Sequence, residues 1–420
     1  MPILTVPFIA LLLAIAVLPL ASPRWWHRTR NQALVVTLLS APVIIYLTRS
    51  DPHLLNEKMA EYASFIIVIG ALFVITGGIH IRGSLSGTPL VNTGMLGIGA
   101  VLANVLGTTG ASVLLIRPLL RANKRRKRVA HIVIFFIFIV ANCGGALTPI
   151  GDPPLLLGFL RGVPFTWTLG LWPQWLLVNA SLLVIFNVWD QVALNRDERE
   201  LPGAQHEEVL EHEPLRIEGA VEMLVLAGVI ATILISPAGR DAVIVGLALI
   251  GYFAGSSEHR KLNGFTFGPL VEVAVLFAGI FATMAPVLEM LNAWAQRPDF
   301  AVHTPAQFFW ATGALSSVLD NAPTYLAFSA AAAGLQGLQP HGPFIGAIAS
   351  DPDGARILAA VSIGAVFMGA NTYIGNAPNF VVRAIAVENG VKMPSFFGYM
   401  LYSAGILVPL FVLVSVVFFN

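Results

Sequence analysis

The chain has 420 residues, of which 56% are hydrophobic and 11% are charged, and its mean hydropathy is +0.77. Soluble proteins carry about 25% charged residues, so this composition excludes an ordinary soluble globular protein. A formal net charge of +1 gives no support for nucleic-acid binding, and the single cysteine, Cys143, excludes an internal disulfide.

Apolar runs of about 17–25 residues, the length that crosses a bilayer, recur from end to end and predict an all-α polytopic membrane protein. Spans are expected at 3–22, 32–48, 62–81, 171–193, 220–236, 241–256, 268–295 and 396–419. The first span lacks a basic residue ahead of it, since the first arginine is Arg24, so we interpret it as a retained helix and not a signal peptide.

The predicted organisation is two transmembrane repeats, at 1–194 and 220–420, joined by a polar cytoplasmic linker at 195–219. Each repeat is expected to contain three spans, a hairpin-like segment, an interrupted span and a closing span. The hairpins are predicted at 84–120 and 304–335, and the interrupted spans at 129–162 and 356–390.

Two short segments of the interrupted spans repeat each other. Residues 145–154 (GALTPIGDPP) and 369–378 (GANTYIGNAP) are identical at six of ten positions. A helix cannot continue through such glycine and proline without losing backbone hydrogen bonds. In lipid, that loss is tolerated only where the backbone is buried in protein or lines a wet cavity. Duplicated broken helices therefore predict a secondary transporter with its site near the bilayer midplane.

The distribution of Lys and Arg predicts the orientation. If both hairpins are re-entrant, 18 basic residues, including the cluster at 124–128, lie inside and six lie outside. This arrangement makes the two halves inverted repeats, places both termini outside and brings the hairpin tips together near the midplane. The loops are basic and carry no eukaryotic sorting signal, which favours a bacterial inner membrane.

The duplicated breaks supply the candidate site. Asp152 and Asn376 occupy the same place in the two repeats, as do Thr148 and Thr372. Carbonyls freed where a helix unwinds can bind a cation, with hydroxyl, amide and carboxylate oxygens completing the shell. Asp152 and Asp320 are the candidate Na⁺ ligands, since a carboxylate at membrane depth is usually functional. The further candidate oxygen ligands are Asn104, Thr108, Thr109, Ser112, Asn142, Asn321, Asn371 and Asn379.

Structural alternatives remain open at these positions. The breaks could be kinks for packing, and Asp152 or Asp320 could simply cap the helix that follows it. Glu272 is an ambiguous candidate for a role in proton transfer. The chain lacks a Walker A motif, a zinc-type Cys/His spacing and a Gly-x-Ser-x-Gly elbow, so we expect neither an enzyme nor a bound cofactor.

The segment GGALTPIGDPP, at 144–154, resembles a motif of the ion transporter superfamily, which includes arsenite and citrate permeases and NhaD-type sodium/proton antiporters. The segment SSVLDNAP, at 316–323, is similar to the hairpin motif of the antiporter branch, although Gly107-Thr108 stands where that branch has Asp-Asn in its first hairpin. The resemblance implies a homodimer with elevator-like movement and a site that includes Asp152, Asp320, Asn321, Thr372, Asn376 and Asn379.

The leading hypothesis from the sequence is a sodium/proton antiporter that exchanges Na⁺ or Li⁺ for H⁺ by alternating access. Its basis is a carboxylate in each half-site region and no basic residue in either predicted hairpin tip. The alternative is a Na⁺- or H⁺-coupled carrier of citrate or another organic anion. A channel-like or purely structural membrane protein is disfavoured, because a static scaffold does not need paired broken helices.

Overall fold

The computed structural model describes residues 2–83, 85–200, 216–235 and 239–420, and these residues are almost entirely helical. In the N-terminal half the elements are α1 (Val6–Ala21), α2 (Pro23–Trp26), α3 (Thr29–Ser50), α4 (Pro52–Gly77), β1 (His80–Arg82), α5 (Pro89–Ala122), α6 (Ala130–Ile139), α7 (Pro153–Leu160) and α8 (Trp172–Glu200). The C-terminal half contains β2 (Arg216–Glu218), α9 (Ala220–Ile235), α10 (Arg240–Ala254), α11 (Ser257–Leu262), α12 (Gly268–Ala295), α13 (Pro305–Ser316), α14 (Asn321–Leu335), α15 (Phe344–Ser350), α16 (Pro352–Met368), α17 (Ala377–Glu388) and α18 (Phe396–Val414).

Nine helical stretches within the described residues are long and apolar enough to cross a membrane, which confirms an all-α polytopic membrane protein. They differ in how deeply they lie in the molecule. In the most apolar window of each stretch, 89% of the residues of Ala130–Leu147 are buried, against 22% for Thr29–Ser50. The first interrupted segment therefore forms the centre of the protein, and α3 lies at its surface. The inverted relation of the two halves stays a prediction.

Helix α5 turns back on itself at Gly107. The backbone of Gly107 has φ 74° and ψ 155°, a conformation that a residue with a Cβ rarely adopts. The two ends of α5 meet, because the side-chain amides of Asn92 and Asn123 exchange hydrogen bonds of 3.0 and 2.8 Å. The arms of α5 thus form a helical hairpin with Gly107 at its tip. The second hairpin consists of α13 and α14, which are joined through Asp320.

Both interrupted spans are broken at the duplicated segments. The first runs from α6 through a short 3-10 helix, Cys143–Leu147, to α7, and the second runs from α16 through Gly369–Asn371 to α17. Asp152 and Asn376 lie immediately before α7 and α17, respectively. The break thus places equivalent polar residues at the start of equivalent helices.

Helix α8 continues to Glu200, beyond the predicted end of its span and into the predicted linker at 195–219. Ion pairs of Lys127 with Glu200, and of Arg128 with Asp197 and Glu200, stabilise this extension. Residues 216–218 of the predicted linker form β2, which pairs antiparallel with β1. The remaining linker residues, 201–215, lie outside the described residues, and the domain boundaries stay predictions.

Candidate functional site

Each hairpin is joined to its broken span by the same hydrogen bond. The Thr148 hydroxyl donates to the backbone carbonyl of Asn104 at 2.5 Å. In the second half, the Thr372 hydroxyl donates to the backbone carbonyl of Ser317 at 2.6 Å. Asn104 and Ser317 each come directly before the Val-Leu pair that begins a hairpin tip. The two threonines are therefore holding the hairpins in place, and their hydroxyl hydrogens are already used.

The side chains of Asn104 and Ser317 also occupy equivalent places, since each lies within hydrogen-bond distance of a backbone carbonyl of the neighbouring broken span. The Asn104 amide donates to the carbonyls of Ala100 at 2.9 Å and of Gly144 at 2.7 Å. The single hydrogen of the Ser317 hydroxyl has two acceptors within reach, the carbonyls of Gly313 at 2.8 Å and of Met368 at 3.2 Å. The Asn371 amide in turn donates to the Ser317 hydroxyl at 2.9 Å. Four of the predicted site residues, Asn104, Thr148, Asn371 and Thr372, thus shape the hairpin–helix contact around the site.

Asp152 is the centre of the polar cluster. Its carboxylate is 1% exposed and accepts hydrogen bonds from the Thr108 hydroxyl at 2.8 Å and from the Asn376 amide at 3.2 Å. Its second oxygen accepts a bond from the Asn321 amide. The donors come from both hairpins and from the opposite broken span. All three donors are neutral, so no ion pair within the described part of the chain balances the negative charge of an ionised Asp152.

An amide network continues behind Asp152. The Asn376 amide also donates to the Asn142 side-chain oxygen at 3.1 Å, and the Asn142 amide donates to the Asn379 side-chain oxygen at 2.7 Å. The Asn379 amide then donates to the carbonyls of Gly369 and Thr372, both at 2.9 Å. These three asparagines link the two broken spans across the centre of the molecule.

The two aspartates differ in whether the side chain caps the helix that follows. Asp152 makes no side-chain hydrogen bond to the backbone of α7. Asp320 does cap its helix, since one carboxylate oxygen accepts a bond of 3.1 Å from the backbone N–H of Ala322. The other Asp320 oxygen makes no hydrogen bond within the described part of the chain. Capping therefore engages one of the two carboxylate oxygens of Asp320 and neither oxygen of Asp152.

A cavity of about 220 Å³ reaches the cluster. Its wall includes Thr108, Thr109, Asp152, Asp320 and Asn376. Most of the remaining wall is apolar and comes from α1, α4, α12 and α17. Among the described residues, no Lys or Arg lines it; its other ionisable side chains are His27 and Glu272. The cavity is thus a pocket with acidic groups in an otherwise mostly apolar wall. Its volume is large enough for several water molecules, each of which needs about 10–15 Å³.

The structure thus brings Thr108, Thr109, Asp152, Asp320, Asn321 and Asn376 to the pocket or into direct contact with Asp152. The side chain of Asn379 joins them through Asn142, and its backbone N–H donates to the carbonyl of Asn376 at 3.1 Å. Ser112 lies one helical turn beyond the tip of α5, is fully buried, and has no hydrogen-bond partner among the described residues. Sequence reasoning did not select Ser317 or the wall residue His27, because neither lies in a duplicated motif.

Comparisons with known proteins agree with a transport site. A family model described as "Putative citrate transport" matches residues 1–419. An uncharacterized transporter of Mycobacterium tuberculosis is 22% identical over 385 residues, covering 86% of this chain and 87% of its own length. An uncharacterized transporter of Mycobacterium bovis aligns to the same extent. The protein is accordingly a multi-pass membrane transporter and not an enzyme, and it belongs to the citrate transport family described by that model.

Proposed function

We propose that the protein is a secondary transporter that carries citrate, or a similar carboxylate anion, together with a coupling cation. The observation that carries the coupling to a cation is the acidic pocket, in which Asp152 and Asp320 share one cavity without a lining lysine or arginine among the described residues. The family description supports the choice of a citrate-like substrate. The proposed location is a bacterial inner membrane, with both termini outside, and the proposed assembly is a homodimer.

Charge repulsion explains why transport of an anion through this pocket would be coupled to binding of a cation. Two unit charges of the same sign repel by about 4 kcal/mol at 4 Å when the effective dielectric constant is about 20. An organic anion would therefore be excluded from a pocket with two ionised carboxylates. Na⁺ or H⁺ bound at Asp152 and Asp320 removes that repulsion, so cation binding would precede anion binding.

The helix ends supply the remaining attraction. α7, α14 and α17 begin at residues that immediately follow Asp152, Asp320 and Asn376, respectively. Helix N-termini carry partial positive charge, which attracts an anion when no competing charge is present. Prolines in the first turn of each of these helices remove backbone N–H donors, so the attraction comes from the helix dipoles. With the two carboxylates neutralised, three helix N-termini around one cavity would favour the carboxylate groups of a substrate.

A sodium/proton antiporter is the second candidate. It is favoured by the same two carboxylates, because competition between Na⁺ and H⁺ for one carboxylate is sufficient for exchange. In this case the hydroxyl of Thr108 and the amides of Asn321 and Asn376 would orient Asp152, with no organic substrate involved.

Transport by purified protein in liposomes separates the two functions. Labelled citrate uptake would be followed under an inward Na⁺ gradient, an inward H⁺ gradient or neither, with a pH dye enclosed in parallel samples. Gradient-driven accumulation of citrate is the expected result. Na⁺-induced alkaline or acid shifts that are unaffected by citrate, without citrate accumulation, would instead establish the antiporter.

A further inference from the structure

The pocket contains a third carboxylate that is distant in sequence from the Asp152 cluster. Glu272 lies in the first turns of α12 and lines the same cavity as Asp152 and Asp320. No described Lys, Arg or His forms a salt bridge with it. In a membrane protein, an acidic side chain that lines a cavity without a cationic partner is by default a candidate functional residue.

Glu272 has a buried neutral partner. The Gln32 amide of α3 donates a hydrogen bond of 2.6 Å to one oxygen of the Glu272 carboxylate. Gln32 is 1% exposed, and its side-chain oxygen has no hydrogen-bond partner among the described residues. A buried amide oxygen that lacks a donor costs about 1–3 kcal/mol. Glu272 lines the cavity, and the unpaired oxygen of Gln32 belongs to the side chain hydrogen-bonded directly behind it. Carboxylate and amide oxygens are the ligand types that hard cations prefer.

The predicted topology puts Glu272 and Gln32 toward the cytoplasmic side of the membrane. Gln32 is in the first turn of α3, and Trp26 and His27, which precede that helix, also line the cavity wall. The nearby chain carries Arg24, Arg28 and Arg30, which the Lys and Arg distribution places on the cytoplasmic side. In the predicted topology, Glu272 and Gln32 therefore lie near the cytoplasmic ends of α12 and α3, whereas Asp152 and Asp320 lie at the breaks expected near the midplane.

We infer that Glu272 and Gln32 form a loading site at which a monovalent cation such as Na⁺ is bound between the cytoplasmic mouth of the cavity and the Asp152 cluster. The inference rests on the proposed function in assuming that a cation uses this cavity. The ionisable groups that face the loading site across the cavity are His27, Asp152 and Asp320. Negative charge at the loading site concentrates cations in a low-dielectric channel before they reach the inner carboxylates.

Glu272→Gln tests the charge while preserving the geometry, since glutamine keeps an oxygen that accepts the Gln32 bond. In liposomes, with the cation added on the side of the predicted cytoplasmic face, the Na⁺ concentration for half-maximal transport should rise about 3- to 10-fold. The rate should recover at saturating Na⁺. The matched control is Glu289→Gln, which changes a carboxylate of the same helix that does not line the cavity and should leave the Na⁺ dependence unchanged.

A second measurement remains decisive even if the proposed function fails. In the Asp152→Asn/Asp320→Asn double variant, thermal unfolding would be followed in Na⁺ and in N-methylglucamine at equal ionic strength. A loading site predicts a residual Na⁺-dependent rise in Tm of about 1–2 °C, which addition of Glu272→Gln should remove. An unchanged Na⁺ response after Glu272→Gln in both assays would show that the pair is only a hydrogen bond between α3 and α12, and would overturn the loading site.

Discussion

Asp152 and Asn376, which are 224 residues apart and occupy the same position in two repeated segments, are hydrogen-bonded to each other at 3.2 Å. One repeat supplies the carboxylate and the other supplies the amide that donates to it. A duplicated motif has thus produced a single asymmetric site with one charge, and not two equivalent sites.

The first prediction concerns that pair. Asp152→Asn keeps the size of the side chain but removes its charge, so Na⁺-driven accumulation should fall by at least about 100-fold. Asn376→Asp alone should also inactivate the transporter, because two buried carboxylates would then face each other. Initial uptake rates into liposomes, normalised to the amount of inserted protein, measure both effects.

Exchanging the two residues provides the control for this prediction. In the double variant Asp152→Asn/Asn376→Asp, the charge returns to the site from the opposite broken span, and we expect at least about a 10-fold recovery over either single variant. If the double variant folds but transports no better than the singles, the two positions are not interchangeable, and the site does not depend on the shared pocket charge alone.

Asp320 distinguishes capping from cation binding. Asparagine is as good a helix cap as aspartate, so Asp320→Asn should leave the thermal stability nearly unchanged. Transport should nevertheless lose its Na⁺ dependence, since the second pocket carboxylate is gone. Normal Na⁺-dependent transport by Asp320→Asn would mean that this residue only caps α14.

The sequence predicted more of the fold than of the contacts between the site residues. The spans and the duplicated breaks are visible because lipid requires long apolar helices, and glycine, proline and asparagine interrupt them conspicuously. The contact between Asp152 and Asn321 joins residues 169 positions apart, and no local pattern records it. The position of Glu272 in the same cavity depends on how α12 packs against α3 and α4, which periodicity alone does not determine.

The tip of α5 supplies a prediction about stability. Gly107→Ala adds a Cβ at φ 74°, only 3.2 Å from the carbonyl oxygen of Ile150. This strained backbone should destabilise the protein by about 1–3 kcal/mol and reduce transport. Thermal unfolding and uptake would be measured together with Gly94→Ala, a change in the same helix where an added Cβ meets nothing within 4 Å. Equal effects of the two substitutions would contradict the special role of the tip.

The open end of the α5 hairpin depends on a buried ion pair. Asp190 is fully buried and contacts Arg126 at 2.6 Å and His131 at 2.8 Å. Asp190→Asn leaves the Arg126 charge buried without its partner and should cost about 3–5 kcal/mol of stability. Glu200→Gln, which weakens the exposed pairs with Lys127 and Arg128, should change the unfolding temperature little. Comparable losses in both variants would contradict the importance of the buried pair.

The most direct test of the central claim is calorimetric binding of citrate to the purified transporter in Na⁺ and in N-methylglucamine, at one pH and ionic strength. Because cation and anion are proposed to share the acidic pocket, Na⁺ should increase the affinity for citrate, and citrate should increase the affinity for Na⁺ by the same factor. We expect a factor of at least about 10. Citrate affinity that is unchanged or lowered by Na⁺ would contradict coupled binding at Asp152 and Asp320.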